Sequence, residues 1–434
     1  MKRKIMNRLL EWKNKKDRMP LIINGARQVG KTYIVNEFGR ENYENMIYIN
    51  FETNEDIVKD FEVKITPEFL IGRMELFFGE RIEKGKTLIF FDEIQVCERA
   101  LTSLKYFCED APEYHVVAAG SLLGIAIDRE KASFPVGKVD MMTLYPMDFE
   151  EFLCSVERDS LVSEIRKCYG KNEEISPSIH SLCLELFRTY LIVGGMPNVI
   201  KKYAENKRII DVANIKNGIL DSYIADMFKY TSRSEATKVI GAYDSIPSQL
   251  AKENKKFQYK IVQKGGTATI FGTSLAWLES AGIILKCHKI EHGYMPPRAY
   301  RDLSSFKIYM SDIGLLTLKS KVSLHSIMSS ETNSFTFIGA LVENYVAQAL
   351  KTNGFDLHYW TSKDTAEIDF IIQTEDLIIP IEVKAGINTR SRSLNVYKKK
   401  YNPKYSIRIS AKNFGFENEI KSVPLYAAFC IESK

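Results

Sequence analysis

The segment LIINGARQVGKTYIV, residues 21–35, decides how the first third of this chain folds. Leu21 to Asn24 read as a short buried strand, GARQVGKT at 25–32 fits the pattern G-x-x-x-x-G-K-T in full, and a helix is expected from about Lys31. The residue types explain one another. Gly25 and Gly30 allow the backbone of Ala26, Arg27, Gln28 and Val29 to wrap tightly, so that successive N–H groups point at phosphate oxygens in front of the following helix. Lys31 adds a cation to that cradle, and Thr32 offers a hydroxyl to Mg2+. Residues 25–32 are therefore expected to bind ATP. An ordinary glycine-rich turn would need neither the strand before it nor the helix after it.

The surrounding sequence supplies the rest of such a site. MIYINF at 46–51, TLIFFD at 87–92 and HVVAAG at 115–120 are continuous apolar runs, which suit strands covered on both faces. Together with residues 21–25 they predict a parallel sheet with helices on both faces, the α/β layout of a P-loop NTPase. TLIFFDEIQ delivers Asp92 and Glu93 at the carboxyl end of its strand, where open parallel sheets bind ligands. Asp92 is the expected second Mg2+ ligand, and Glu93 the expected base for the attacking water. Ser121, after the next strand, is placed to sense the γ-phosphate. Mg-dependent ATP hydrolysis is the activity these residues imply.

A second set of acids lies near the C-terminus. Glu343 falls within the expected helix FTFIGALVENYVAQALKTNG, which should close at Asn353-Gly354; Asp369 falls in EIDF, and Glu382 and Lys384 in IEVK. Residues two apart on a strand share a face, which pairs Glu382 with Lys384, and the tight link QTED should bring Asp369 across the hairpin to Glu382. Acids converging beside a lysine suit metal-dependent phosphodiester cleavage, with Asp369 and Glu382 as metal ligands and Glu343 as a further member. Against this stands a plain ion pair on a solvated strand, or a fold that binds DNA without cutting it.

From Val383 to Phe416 the charged residues are all basic: Lys384, Arg390, Arg392, Lys398, Lys399, Lys400, Lys404, Arg408 and Lys412. Tyr397, Tyr401 and Tyr405 recur among them, which suits nucleic-acid contact unless the rings pack inward. The net charge of +5 is too small for its field alone to draw in DNA, so DNA as a partner rests on this local run. Between the two ends, QLAKENKKFQYKIVQKGGTATIFGTSLAWLESAGIILKCHKI reads as a winged-helix unit, with 267–280 in the recognition-helix position and Lys255, Lys256, Lys260 and Lys264 before it. With 434 residues the chain needs more than one core, and the expected division is 1–207, the ATPase domain with a helical lid or appendage around VGGMPN; 208–303, winged-helix-like; and 304–434, α/β. Seven cysteines without a CxxC pair argue against a zinc site or a disulfide framework. No apolar run reaches membrane-spanning length, and a cytoplasmic protein is expected.

The set GARQVGKT, FFDEIQ, AAGSLLG, YPMDFEEF and VGGMPN resembles the AAA-type ATPases of bacteria and archaea that carry a C-terminal domain of unknown function with a nuclease-like fold. The acid and acid-x-lysine pattern of the C-terminal hairpin resembles the PD-(D/E)xK superfamily, which implies a restriction-endonuclease-like α/β domain. The resemblance to AAA-type ATPases is compatible with a homo-oligomer; the rival to a DNA partner is a protein-binding regulatory ATPase switch whose basic tail docks on an acidic partner. One departure stands out: Gly137-Lys138 replaces the Gly-Arg often found before the YPMDF-like segment, and Arg129 and Arg188 are the alternatives for an arginine finger.

Overall fold

The computed structural model describes residues 1–121, 134–328, 337–362, 366–387 and 392–433. The chain divides into two compact units: Lys2–Tyr145 with Ser280–Gly282, and Pro146–Glu279 with Ile283–Lys434. The first is built on β1 (Leu21–Asn24), β2 (Asn45–Asn50), β3 (Thr87–Asp92), β4 (His115–Ala119) and β5 (Asp140–Thr143), in the order β2-β3-β4-β1-β5. Every neighbouring pair is parallel. Burial follows position: β3 and β4 are buried along their whole length, whereas edge strands β2 and β5 are only partly covered. The apolar runs of β3 and β4 thus mark covered strands and β5, DMMT, carried no comparable signal, whereas MIYINF, expected to be covered on both faces, is the partly covered edge strand β2.

Helices complete the layers. The α1 helix (Ile5–Asn14) packs Trp12 against Phe38 of α2 (Lys31–Asn42), with ring centroids 6.4 Å apart. A core of Ile47, Ile49, Phe51, Phe61, Phe91 and Phe107 joins β2 and β3 to the helices Glu55–Val63, Pro67–Phe78 and Glu98–Asp110. The α/β class and the P-loop NTPase sheet are as the sequence predicts.

The second unit holds an eight-stranded mixed sheet: β6 (Ile284–Ile290), β7 (Arg301–Met310), β8 (His358–Thr361), β9 (Glu367–Gln373), β10 (Ile378–Val383), β11 (Ser406–Ser410), β12 (Gly415–Glu417) and β13 (Ile420–Pro424). Their order is β12-β13-β11-β10-β9-β8-β6-β7. The helix Phe337–Thr352, buried from Ala340 to Leu350, ends before Gly354 at φ +90°, as the Asn-Gly pair predicts.

Two expected boundaries move. The appendage at 145–207 belongs with the C-terminal half, because its helix Pro177–Val193 is fastened there: Tyr190 accepts from Gln348 Nε2 at 2.9 Å and Thr317 donates to Leu191 O at 2.7 Å. VGGMPN correspondingly falls within the second unit. A Cβ on Gly194 would lie 2.5 Å from Asp312 Oδ1 and 2.7 Å from Gly314 Cα, so two glycines allow the end of this helix to seat against the start of Ile313–Lys319. The expected wing, likewise, forms an antiparallel pair, β6 with β7, but β6 also pairs with β8, so that the hairpin is the edge of the large sheet. Its helix, Ala268–Ser280, buries Phe271, Leu275, Trp277 and Leu278.

Candidate nucleotide site and the C-terminal carboxylates

Parallel pairing brings the carboxyl ends of β1, β3 and β4 to one edge of the first sheet, and the loop 25–32 leaves from the middle of that edge. Gly25 has φ +144°, and a Cβ there would come within 2.2 Å of Leu144 O. Gly30 opens α2 in the left-handed conformation at φ +92°, with no side chain capping the helix. Only glycine satisfies both demands cheaply. Lys31, 7% exposed, donates to Gly25 O at 2.8 Å and to Ala26 O at 2.9 Å. Its ammonium therefore lies inside the loop, where a phosphate oxygen could replace either carbonyl.

The acid strand meets this loop directly. Thr32 Oγ1 donates to Asp92 Oδ2 at 2.7 Å, and Tyr48 OH reaches the same oxygen at 3.1 Å. Asp92 is 2% exposed, and its other oxygen accepts from Glu93 N at 3.1 Å. A hydroxyl and a carboxylate held together beside a lysine make an oxygen donor set that fits Mg2+. Glu93 stands at φ +51° and accepts from Gln95 Nε2 at 2.5 Å. Burial pushes its carboxyl above the ordinary value; the charge of Asp92 adds to that, while Gln95 and Lys31 pull it back. Ser121 is buried just after β4, the strand between β1 and β3.

Residues 17–153 match the AAA domain family. The AAA domain thus spans the loop, Asp92, Glu93 and Ser121, and supports an AAA-type ATPase. Residues 184–325 and 338–428 match two domains of unknown function, DUF8612 and DUF4143. The chain is 23% identical over 386 residues to an uncharacterized protein of Haemophilus influenzae, covering 83% of this chain and 81% of that one. It is 21% identical over 417 residues to the uncharacterized protein MJ1544 of Methanocaldococcus jannaschii, covering 92% and 82%. Among solved structures it is similar to the Walker-type ATPase of Pyrococcus abyssi, with TM-score 0.45, 16% identity, and coverage of 73% of this chain and 95% of that one. The Aeropyrum pernix ORC1 protein, solved in complex with DNA, is similar at TM-score 0.30 and 14% identity, covering 73% and 91%.

Beyond the AAA domain, the C-terminal acids fall on the helix Phe337–Thr352, on β9 and on β10. The β9–β10 register runs from Gln373↔Ile378 to Phe370↔Ile381, and continuing it would set Asp369 opposite Glu382. On its other side β9 carries a bulge: His358↔Ile371 is followed by Trp360↔Ile368, so one residue of β8 faces both Asp369 and Phe370. A bulge re-aims side chains. Phe370 packs against Tyr309, with centroids 5.8 Å apart, and Tyr309 OH donates to Glu343 at 2.6 Å. Asp369 joins the same group, accepting from Val383 N at 2.8 Å. Burial raises its pKa, and the charge of Glu343 raises it further, against the pull of Lys307.

That group is closed by lysines. Lys307, fully buried, lies 3.0 Å from Glu343 and 2.5 Å from Glu367, and Lys255 pairs with the second Glu343 oxygen. Burial alone would neutralise Glu343, but Lys307, Lys255 and Tyr309 reverse this and hold it ionised, with its pKa lowered. Glu382 has cations of its own. Its carboxylate is 3.3 Å from Lys384 and 3.7 Å from Arg408, and its Oε2 is buried without a hydrogen bond. Among the described residues no group of three or more His, Cys, Asp or Glu is placed to hold a metal.

Other expected residues change role. Tyr397 is buried and packs on Trp360 at 5.2 Å, with Tyr401 4.7 Å from Tyr397, so these rings are core and not stacking platforms. Lys255 serves Glu343 instead of a DNA-facing surface. Lys138 forms an ion pair with Glu109 at 3.0 Å, Arg188 lies on the helix Pro177–Val193 of the second unit, and Arg129 and Arg390 fall outside the described residues. Tyr48 and Gln95 were not singled out from the sequence, nor were Lys307 and Glu367. A lysine inside the apolar run KIYM was the one available signal, since such a charge is buried only when paired. No helix among the described residues is long and apolar enough to cross a membrane.

Proposed function

We propose that this chain binds ATP with Mg2+ at residues 25–32, hydrolyses it, and uses the cycle to control a C-terminal unit that engages DNA. The 2.7 Å bond from Thr32 to Asp92 carries the first part, because it places both oxygen types that suit Mg2+ beside the loop lysine. Bound there, Mg2+ would neutralise charge on the phosphates. The backbone amides of 25–32 orient the triphosphate, and Lys31 turns from its two carbonyls to phosphate oxygens. Glu93 takes the proton of the attacking water, a task that its raised pKa suits. Ser121, buried between the two motifs, hydrogen-bonds the γ-phosphate side of the site.

The DNA part rests on the basic run. Arg392, Lys399, Lys400, Lys404 and Lys412 are exposed, whereas Lys398 is engaged with Glu419 at 3.0 Å. Cations in such a run bind phosphates by releasing counterions, which makes affinity fall with salt. Glu343 is already paired with Lys255 and Lys307, and Glu382 with Lys384, which supports gripping DNA over cutting it. Measuring ATP turnover with and without single-stranded, duplex and branched DNA, while following each DNA on a gel, tests both parts. Turnover that responds to DNA without cleavage products is expected. Mg-dependent nicks that vanish in Asp369→Ala would overturn the non-cleaving reading, and turnover indifferent to every DNA would remove DNA as the partner.

A further inference from the structure

The segment before β1 opens with Lys2, Arg3 and Lys4, and its structure ties it to the phosphate loop. Arg3 Nη1 donates to Val29 O at 3.0 Å and Nη2 donates to Tyr145 O at 2.7 Å. Val29 is a fully buried member of the loop, one residue before Gly30, and Tyr145 closes the segment that follows β5. The other end of the loop rests on the same segment, since Leu144 N donates to Asn24 O at 2.9 Å and Gly25 packs on Leu144 O. Leu144 and Tyr145 thus back the loop at both ends, and Arg3 supplies the second of these ties. A guanidinium suits this position because its planar fork serves two carbonyls at once and stays charged at any pH of interest.

We infer that Arg3 is a positioning residue for nucleotide binding: it fixes the Val29 carbonyl against the Leu144–Tyr145 segment and so keeps the 25–32 loop in the shape that receives phosphate. The inference rests on the ATP reading proposed above. It goes beyond it by assigning a loop-shaping role to a residue outside every nucleotide motif. Pre-arranged backbone donors lower the ordering that binding demands, so loss of the tie weakens ATP binding more than it slows the chemical step. The α1 helix offers an internal control. Near its C-terminal end Lys13 donates to Asn42 O and lies 4.4 Å from the Tyr43 ring centroid, fastening α1 to the far end of α2 without touching the loop.

The test measures KM for ATP, kcat and thermal stability in the full chain for Arg3→Ala, Arg3→Lys and Lys13→Ala. Arg3→Ala is expected to raise KM roughly tenfold with kcat changed less than about threefold, and Arg3→Lys to recover only part, because one ammonium cannot match the fork. Lys13→Ala should lower the melting temperature and leave KM unchanged. An unaltered KM in Arg3→Ala overturns the inference, as does an equal rise in KM in Arg3→Ala and Lys13→Ala, which would make Arg3 a fastening of the helix only. If wild type turns over ATP and Lys31→Ala does not, while Arg3→Ala matches wild type, this inference alone fails. A wild-type chain that neither binds nor hydrolyses ATP removes both.

Discussion

Asp92 and Asp369 both belong to strands, both were expected to hold Mg2+, and their surroundings differ in kind. Asp92 ends a buried strand and meets the Thr32 hydroxyl, the Tyr48 phenol and the Glu93 amide, while the loop lysine is held by backbone carbonyls that a ligand could replace. Asp369 sits at a bulge, accepts from Val383 N and lies in the field of Lys307 and of Glu343, whose own oxygens are met by Lys307, Lys255 and Tyr309. Charges arranged so that a ligand can exchange into them make a binding site, whereas charges that already neutralise one another make a fastening. On this view the first cluster works on nucleotide and the second holds the C-terminal sheet to its helix.

Substitutions should separate the two. The largest effect is expected from Lys31→Ala, which should lower kcat/KM for ATP by roughly 10²–10³-fold without loss of folding, because it removes one preorganised cation at the phosphates. Turnover retained in that variant, in a clean preparation, would end the distinction. Next in size, Lys307→Met should destabilise the second unit by about 3–5 kcal/mol in chemical denaturation, since it leaves Glu343 and Glu367 without their fully buried partner. Lys384, whose side chain is 40% exposed, should cost no more than about 1 kcal/mol on replacement by alanine. Equal losses for the two lysines would contradict the description of Lys307 as a fastening.

A smaller effect concerns Glu93 and sharpens the picture of the first cluster. A base must be ionised, so activity falls as pH drops through its pKa, and burial places that fall above the ordinary glutamate value of 4.5. The Gln95 hydrogen bond stabilises the ionised form and opposes the shift. In Gln95→Ala the acid limb of the kcat/KM profile should therefore move to higher pH, with the alkaline plateau altered by less than about threefold. A limb that stays in place or moves down would exclude Glu93 as the group that titrates.

The same contrast explains what the sequence could reveal. The nucleotide site was legible because its parts are contiguous: strand, loop and helix follow in fifteen residues, and a fully apolar strand can deliver Asp92 to only one edge of a parallel sheet. The C-terminal acids depend on partners brought from far along the chain: Lys307 of β7 and Lys255 reach Glu343, which no local pattern announces. Gly194 and Gly195 looked like a helix break suited to a lid, because sequence marks where a chain must lack side chains but not which neighbour demands it. For Tyr397 and Tyr401 the spacing with Leu394 was itself informative: residues 394, 397 and 401 lie on one helical face, and the buried Leu394 shows which way that face points. The pairing of Arg3 with Val29 and Tyr145 spans the whole first unit and left no local trace.

The central claim is that Thr32 and Asp92 complete a Mg–ATP site begun by the loop. Titrating a fluorescent ATP analogue into wild type and Asp92→Asn, each with Mg2+ and with a chelator, tests this most directly. Wild type should bind more tightly with Mg2+ than without, and Asp92→Asn should bind nucleotide but lose that gain. A Mg2+ dependence that survives intact in Asp92→Asn would contradict the account.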